Sequence, residues 1–553
     1  MAVHRASGAL LSALLATSLG VPGVATAASV VAEPAGALPS DSLGVLHPLD
    51  RDHWGDDTTH EGDHSTAVSG QWQAQYDHGS MWYTTQETGA QDVWLKSDPN
   101  KWGHKLTGYG VGVALIDTGI APVDGLTTTG KVINGPDLSF DSQASNTRYL
   151  DGYGHGTHMA AIIAGKDSAV VTGNESDSKK FVGMAPDATL INVKVGAADG
   201  SADVSQIVAA IDWVVENRTT NNIRVLNLSY GTDSTQSSTL DPLAHAVENA
   251  WRAGIVVVVA AGNEGVSGAT RLTMPAADPY VIAVGSSDNS GSGDHANTKV
   301  GAWTNNGNSS RRPDLLAPGK SVVSLRVPGS LVDTKFPEGL IPGDSSGRML
   351  RGTGTSQSAA VVSGAAALLL QRNPSLTPNQ VKGLLRSSAD KLSTSDSTQG
   401  AGDLNVKDAV TMLEGSSLSS YSQSWTVSTG KGSLEAARAG SYVADPSDGS
   451  VLRGEQDIFG VAWDAPTWAA ASKSGTAWSG GTWRGTTWAG TGWSGTTWAT
   501  VPWARYSWSG LDWSRYSWSG LVWSRYSWSG LDWSRYSWSG LDWSRYSWAG
   551  LGW

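Results

Sequence analysis

The chain contains no cysteine among its 553 residues and only 4 phenylalanines. The missing thiols exclude disulfide bonds, thiolate metal sites and a cysteine nucleophile. Positive charge is also scarce, because 38 Lys and Arg residues face 50 Asp and Glu residues for a formal net charge of −12. A chain with no basic surplus is poorly suited to a phosphate backbone, so nucleic acid is not expected as a partner.

An apolar stretch at the start of the chain is typical of a secretory signal peptide. Positive charge in Met1–Arg5 precedes the mostly apolar Ala6–Val24, and the small residues Ala25–Ala27 follow. This pattern predicts a signal peptide over residues 1–27 and a secreted mature chain. A membrane anchor is the alternative, although glycine and proline interrupt the stretch, and no later apolar run is long enough to span a bilayer.

Composition and pattern divide the rest of the chain into four parts. Residues 28–81 are acidic and lack a regular apolar period, which predicts a poorly ordered leader or pro-segment. Residues 82–413 alternate short apolar runs with amphipathic segments, as expected for the main folded domain. A Ser/Gly-rich linker over 414–462 and a tryptophan-rich repeat tail over 463–553 are predicted to follow it.

The main domain has the pattern of an α/β fold. Apolar runs rich in β-branched residues recur at Gly110–Ile116, Thr189–Val193, Val225–Leu228, Ile255–Val259 and Val281–Val284. Most of them lack polar alternation, as in strands buried on both faces. Helices are predicted between them, along the apolar stripe from Val204 to Val215, after the N-cap Asp241 and from Thr377. Together these patterns predict a mostly parallel sheet with helices on both faces and an active site at the carboxyl ends of the strands.

Three motifs fall where such a sheet would place chemistry. Asp117 follows the strand that ends at Ile116, His155 opens a helical stretch, and Ser356 precedes another. A serine hydroxyl needs an imidazole to take its proton, and the imidazole needs a carboxylate to fix its tautomer. Asp-Thr-Gly also marks aspartic peptidases, but these require a second such motif, and the sequence contains none. The chain order Asp, His, Ser is that of subtilisin.

The motifs resemble those of the subtilases, the subtilisin-like serine peptidases, over residues from about 82 to 413. The resemblance implies that Asp117 orients the base, that His155 is the general base and that Ser356 is the nucleophile. A fourth motif, Ala260–Gly265, follows a predicted strand. In subtilases its asparagine, here Asn263, donates its side-chain amide to the oxyanion together with the backbone N–H of Ser356.

The resemblance also implies a substrate cleft. Two segments look like the edges between which subtilases clamp an extended peptide, namely Ala198–Ala202 (the first edge) and Asn227–Gly231 (the second edge). The predicted substrate-binding residues are Gly200, Ser201, Ala202, Ser229, Tyr230, Gly231, Ala260, Ala261 and Gly262. Small residues in the pocket walls predict a broad preference for large uncharged side chains before the scissile bond.

The sequence departs from the family in two places. Subtilases commonly follow the serine with Met-Ala and place a proline four residues after it, whereas this chain has Gln357 and Ala360 at those positions. A slightly different start of the helix is one consequence considered, and whether the departures reduce or abolish activity is left open by the sequence. The folded inhibitory pro-domain common in subtilases is also missing between the signal peptide and the main domain, so residues 28–81 are interpreted as a reduced propeptide or as a sign of different maturation.

No cofactor is predicted for catalysis. Subtilases often bind structural calcium, but this chain has a longer insertion, Lys166–Lys180, where a calcium loop commonly follows the histidine helix. Oxygens of Asn174, Glu175 and Asp177 suit calcium, and a solvated polar loop explains the same residues equally well. The metal residues are therefore left open.

The tail has a fixed period. Of nineteen positions spaced by five from Trp463 to Trp553, eighteen are tryptophan. A step of five scatters residues around a helix but alternates faces in a strand, which predicts short stacked strands with laddered indoles and with Arg505 and its repeats over the rings. Self-association through the repeat, binding of cell-wall polysaccharide by indole faces, and disorder are the alternatives.

These observations lead to one main hypothesis and one competitor. The chain is interpreted as a secreted serine endopeptidase that acts on protein or peptide substrates through an acyl-enzyme, with attachment to a cell wall as one role considered for the tail. The competing hypothesis is a non-catalytic surface or polysaccharide-binding protein that keeps a peptidase-like scaffold.

Overall fold

A computed structural model describes residues 53–54, 71–143, 146–265, 271–289, 297–393, 397–415, 421–443 and 451–487. The predicted signal peptide, most of the leader and the tail beyond residue 487 lie outside the described residues. Within the described part of the chain, no helix is both long and apolar enough to cross a membrane.

A largely parallel sheet forms the centre of the fold. The strands, in chain order, are β1 (His53–Trp54), β2 (Gly112–Asp117), β3 (Val132–Asp137), β4 (Thr189–Lys194), β5 (Ile223–Leu228), β6 (Val256–Ala260), β7 (Ile282–Asp288), β8 (Lys299–Val300), β9 (Leu315–Pro318), β10 (Val322–Leu325), β11 (Met349–Thr353), β12 (Trp478–Ser479), β13 (Thr482–Trp483) and β14 (Thr486–Thr487). The central sheet has the order β3-β4-β2-β5-β6-β7-β8, with β9 also paired to β7. All of its pairs are parallel except β7 with β8. The predicted fold class is confirmed.

Helices cover this sheet. They are α1 (Met81–Glu87), α2 (Ala90–Trp94), α3 (His155–Ala164), α4 (Val204–Asn217), α5 (Pro242–Arg252), α6 (Leu331–Lys335), α7 (Thr355–Arg372), α8 (Pro378–Ser388), α9 (Val406–Gly415), α10 (Leu434–Arg438) and α11 (Ala465–Lys473). α3 packs on α7, which lies against β5, β6 and β7, and α4 packs on α5. Every residue of β2 and β6 is buried, as expected for strands covered on both faces.

Local capping explains where the predicted helices begin. The Asp241 side chain accepts hydrogen bonds from the N–H groups of Leu243 and Ala244, and proline follows it at the first helical position. Thr377 and Gln380 form a reciprocal capping box at the start of α8. Both helix starts were predicted from these residues and are confirmed.

The described part of the leader is more ordered than the sequence predicts. Asp77 is fully buried and pairs with Arg351 at 2.6 Å, and it also accepts the indole N–H of Trp72 at 2.7 Å. The short strand β1 pairs antiparallel with β11, with His53 opposite Thr353. The prediction of poor order is therefore wrong for residues 71–81, because a charge that looked solvated has a buried partner distant in sequence.

The predicted linker also needs correction. Residues 421–443 and 451–487, which we call the C-terminal segment, pack against α4 and α5. Arg438, inside the predicted linker, is buried against Asp203, and Trp468, inside the predicted tail, is buried against Asp212. The small residues that suggested a linker are spacers between a few buried contacts, which composition alone does not reveal.

Candidate active site

The predicted site residues lie at the carboxyl ends of neighbouring strands. Asp117 is the last residue of β2, and Asn263 follows the end of β6. His155 is the first residue of α3, and Ser356 lies in the first turn of α7, which packs against α3. The parallel sheet thus brings together residues that are far apart in sequence.

Asp117 and His155 are in direct contact. His155 Nδ1 lies 2.7 Å from Asp117 Oδ1, and the two side chains are 0% and 1% exposed. The same carboxylate oxygen accepts the N–H of Thr118 at 2.7 Å. Because a carboxylate only accepts, the hydrogen bond places the proton on Nδ1 and leaves Nε2 as the basic nitrogen of a neutral ring.

Asp151 organises the loop that leads to His155. It accepts the N–H groups of Gly154 and Thr157 at 2.7 Å each, and the Thr118 hydroxyl at 2.8 Å. Burial raises the pKa of the Asp151 carboxyl, while these hydrogen bonds act in the opposite direction. The carboxyl therefore links the turn after Asp117 to the first turn of α3.

A buried lysine connects the same two loops. Lys194, the last residue of β4, donates from Nζ to the carbonyls of Thr118 at 2.7 Å and Leu150 at 2.8 Å. It also pairs with Asp141 at 2.9 Å. Burial alone would lower the pKa of Lys194, but Asp141 and Asp137 raise it, so the ammonium stays charged. The ammonium thus joins the loop that follows Asp117 to the loop that precedes His155.

Asn263 is held by Thr355, the residue directly before Ser356. Asn263 Oδ1 accepts the backbone N–H of Thr355 at 2.8 Å and its hydroxyl at 3.0 Å. The same hydroxyl accepts the N–H of Gly262 at 3.1 Å. Because the backbone N–H is a donor, the atom that faces it must be the amide oxygen, and this fixes the direction of the side-chain amino group.

The two walls of the predicted pocket lie side by side. They follow β5 and β6, which are adjacent parallel strands. Thr273 lies between them: its N–H donates to the Ala261 carbonyl at 3.1 Å, and a Cβ on Gly231 would come within 2.4 Å of its hydroxyl. At the second edge, the Ser229 hydroxyl donates to the carbonyl of Ser356 at 3.4 Å. The second edge therefore contacts the backbone of Ser356.

The first edge is a tight turn that packs against Tyr153. The N–H of Ala197 donates to the Ser201 carbonyl at 3.0 Å, and Gly200 lies at φ 85°. A Cβ on Gly200 would lie 2.7 Å from the ring of Tyr153, which precedes His155 by two residues. Only glycine combines this left-handed backbone with such a close approach.

Gln357 directly follows Ser356 in the chain. Its side chain is fully buried, and neither the oxygen nor the nitrogen of its amide has a hydrogen-bond partner among the described residues. An unsatisfied buried amide costs about 1–3 kcal/mol of stability. The departure from the family that the sequence revealed is thus a polar group at an apolar position. Helix α7 itself begins at Thr355 and runs without interruption to Arg372.

Two of the three side chains considered for calcium have partners within their own loop. The carboxylate of Glu175 accepts the N–H of Gly173 at 2.9 Å and lies 3.6 Å from Lys166. Asp177 accepts the N–H of Lys179, and Asn174 is exposed. In the described ranges, no group of three His, Cys, Asp or Glu side chains could hold a metal ion.

Sequence reasoning missed three residues that support the site, namely Asp151, Lys194 and Thr355. Thr355 lies inside the Gly-Thr-Gly-Thr-Ser motif, so its proximity to Ser356 could have been noted. Lys194 interrupts an apolar strand, which is an available signal because lysine is rarely buried without a partner. No sequence signal identifies Asp151 beyond its position four residues before His155.

Comparisons with known proteins agree with this geometry. Residues 108–402 match the model of the subtilase family. The serine protease AprX of Bacillus subtilis (strain 168) is 36% identical over 317 residues, which cover 56% of this chain and 68% of that protein. Subtilisin DY of Bacillus licheniformis is 36% identical over 304 residues, which cover 55% of this chain and 91% of that protein. The chain belongs to the subtilase family and is a serine-type endopeptidase.

Proposed function

We propose that Ser356, His155 and Asp117 carry out peptide hydrolysis in this chain as nucleophile, general base and orienting acid. The buried 2.7 Å contact between His155 Nδ1 and Asp117 Oδ1 is the observation that carries the proposal. His155 lies on α3, which packs against α7, the helix that carries Ser356. This arrangement supports the endopeptidase over a scaffold without catalysis, which would not need a buried, oriented imidazole.

The proposed reaction has two halves. His155 Nε2 takes the proton of Ser356 Oγ as the oxygen attacks the substrate carbonyl carbon, and Asp117 stabilises the imidazolium that forms. The carbonyl oxygen becomes negative and accepts the Asn263 amide and the Ser356 N–H. The imidazolium then gives its proton to the departing amine, leaving an acyl group on Ser356. Water, deprotonated by the same imidazole, attacks the acyl carbon; the bond from that carbon to Ser356 Oγ then breaks, the imidazolium returns the proton to Oγ, and the acid is released.

Substrate binding is proposed to follow β-addition. An extended peptide would add to the first edge through Gly200, Ser201 and Ala202, and to the second edge at Ser229–Gly231. Main-chain hydrogen bonds accept any sequence, so selection falls to the pocket. Its walls are built from small residues, Ala260–Gly262 among them, which supports the preference for large uncharged side chains before the scissile bond.

A serine-directed fluorophosphonate tests the assignment. We expect the full chain to incorporate one label, at Ser356, because the activated Oγ displaces fluoride from phosphorus. Ser356→Ala should incorporate none. Ser358→Ala is a matched control, since Ser358 is a fully buried hydroxyl on the same helix that donates to the Ala317 carbonyl at 2.9 Å, and it should still label. Labelling that persists in Ser356→Ala, or none in the parent chain, would refute the proposal.

We further propose that the chain is secreted and that the repeat tail serves attachment or assembly. The signal-like pattern of residues 1–27 supports secretion. Structural calcium is proposed from the family alone, in which it is common, with the oxygens of Asn174, Glu175 and Asp177 in the Lys166–Lys180 insertion as the candidates. The regular indoles beyond residue 487 suit stacking on one another or on the sugar rings of a cell wall.

Truncation after Thr487 tests the role of the tail. This site keeps the C-terminal segment, whose buried contacts a shorter chain would lose. We expect the truncated chain to hydrolyse peptides as fast as the full chain does but no longer to co-sediment (pellet) with insoluble cell-wall glycan. Loss of self-association with unchanged pelleting would favour assembly, and retention of both properties would remove both roles.

A further inference from the structure

The C-terminal segment contacts α4 at two places. At the start of the helix, Arg438 reaches Asp203. Further along, the indole N–H groups of Trp468 and Trp483 both donate to Asp212 Oδ2 at 2.9 Å. Nine residues of helix, or about 13 Å at 1.5 Å per residue, separate the two acidic side chains. The two contacts can therefore be changed independently.

Arg438 has the environment of a dedicated partner for Asp203. Both side chains are 0% exposed, and Arg438 Nε lies 2.5 Å from Asp203 Oδ2. The other guanidinium nitrogens donate to the carbonyls of Gly454 at 2.7 Å and Gln456 at 2.5 Å. Burial alone would lower the pKa of Arg438, but Asp203 raises it. A cation bonded to a buried carboxylate offsets the cost of burying its charge, and here the cation comes from the C-terminal segment.

Asp203 sits where the first edge meets α4. It directly follows Ala202, and as N-cap its carboxylate accepts the N–H of Ser205 at 2.9 Å. Its own N–H donates to the Gln206 side chain at 2.6 Å. The N–H of Ile458, also in the C-terminal segment, donates to the Ser205 hydroxyl at 2.9 Å. The C-terminal segment thus holds the residues immediately after the first edge.

We propose that the C-terminal segment is part of the substrate-binding machinery, with Arg438 as a positioning residue that holds the first edge through Asp203. The proposal rests on the proposed function, since it concerns the edge to which substrate adds. It predicts that Arg438 matters for peptides long enough to pair with that edge. It also predicts that Arg438 matters little for short substrates held by the pocket alone.

The physical reason is the entropy of ordering. A peptide that adds to a fixed edge forms its main-chain hydrogen bonds at little cost, whereas a mobile edge must first be ordered by the substrate's binding energy. The turn between Ala197 and Ser201 holds the first edge internally, and the cap at Asp203 holds its carboxyl end. Removing the guanidinium releases the carboxyl end and leaves the turn in place.

Two p-nitroanilide substrates test the proposal. Both carry the same large uncharged residue before the scissile bond, and they have two and five residues on its amino side. We expect Arg438→Met to lower kcat/KM for the long substrate about tenfold relative to the short one, mainly through KM. Arg438→Lys should recover part of the loss, because it restores the charge without the bonds to both carbonyls. Enzyme concentration is set by fluorophosphonate titration, so misfolded protein does not count.

Asp212→Asn is the matched control. It weakens the other contact of the C-terminal segment with the same helix and leaves Asp203 untouched. We expect it to lower stability without changing the ratio of long to short substrates. An equal ratio in Arg438→Met and the parent chain, or an equal loss in Asp212→Asn, would overturn the proposal.

If Arg438→Met does not fold, Arg438→Lys is compared with the parent chain instead. Hydrogen exchange at residues 197–202 should still be faster in Arg438→Lys than in the parent chain.

Two outcomes separate this proposal from the proposed function. If the parent chain neither labels nor hydrolyses either substrate, the proposed function fails. If it hydrolyses both and the ratio does not respond to Arg438, only the positioning role fails.

Discussion

Replacement of Asp117 by asparagine is expected to lower kcat by about 10⁴-fold with little change in KM. Asp117 Oδ1 accepts from His155 Nδ1 and from the N–H of Thr118. An asparagine has no negative charge, so the variant loses the group that stabilises the imidazolium in the transition state. Its amide nitrogen can also face Nδ1, which places the ring proton on Nε2 and leaves the base in the wrong tautomer.

Kinetics of the purified variant on a peptide anilide check this expectation. Residual hydrolysis must disappear in the double variant that also carries Ser356→Ala. Hydrolysis that remains there would come from contaminating peptidases. Thermal unfolding shows whether the fold is kept: Asp117 Oδ2 has no hydrogen-bond partner in the described structure, so an amide nitrogen there would be buried and unsatisfied. A fall in kcat of less than tenfold in folded protein would contradict the assigned role.

Much of the fold was predictable because its signals are local. The buried strands and the caps at Asp241 and Thr377 depend on neighbouring residues, and they occur where the sequence placed them within a few residues. β3 was missed because its residues Ile133 and Asn134 are exposed, so it lacks a continuous apolar run. Strands at the side of a sheet carry a weaker pattern than central ones.

The positions of Asp117, His155 and Ser356 were also predictable, since each is adjacent to a strand or helix boundary that the pattern marks. The residues that hold these three in place were less predictable. Lys194 donates to the carbonyls of Thr118 and Leu150. Every residue has a backbone carbonyl, so the sequence does not indicate which carbonyls accept these bonds. Contacts of this kind become visible only when the loops are placed in space.

The C-terminal segment shows the limit of composition. Its glycine and serine content predicted a linker, and the five-residue period of tryptophan predicted a tail. Yet Trp468 and Trp483 are 1% and 0% exposed, and both donate to a carboxylate on α4. A short period says how residues alternate along a strand but not what covers them. The bonds between these two indoles and α4 could not be derived from the sequence.

Replacement of Asn263 by alanine is expected to lower kcat by about 10²- to 10³-fold, a magnitude taken from the corresponding change in subtilisin, a member of the same family. Asn263 Oδ1 is held by the N–H and hydroxyl of Thr355, so the amide is oriented before substrate arrives. Such a donor costs no reorganisation when the oxyanion forms, which is why its loss should appear in kcat and leave KM nearly unchanged. Asn249→Ala is the matched control: Asn249 is 6% exposed against 8% for Asn263 and donates to Ser472 on α11.

Thr355→Val separates the amide from its orientation. The variant keeps the Thr355 N–H but removes the hydroxyl that accepts from Gly262 and donates to Asn263. One neutral hydrogen bond contributes about 0.5–1.5 kcal/mol, so kcat should fall by roughly 2- to 13-fold. Adding Asn263→Ala to Thr355→Val should give little more than the loss of Asn263→Ala alone, because the hydroxyl acts through an amide that is no longer present. Full additivity of the two losses would show that Thr355 affects the reaction by another route, and an Asn263→Ala enzyme with unchanged kcat would remove the amide from the oxyanion site.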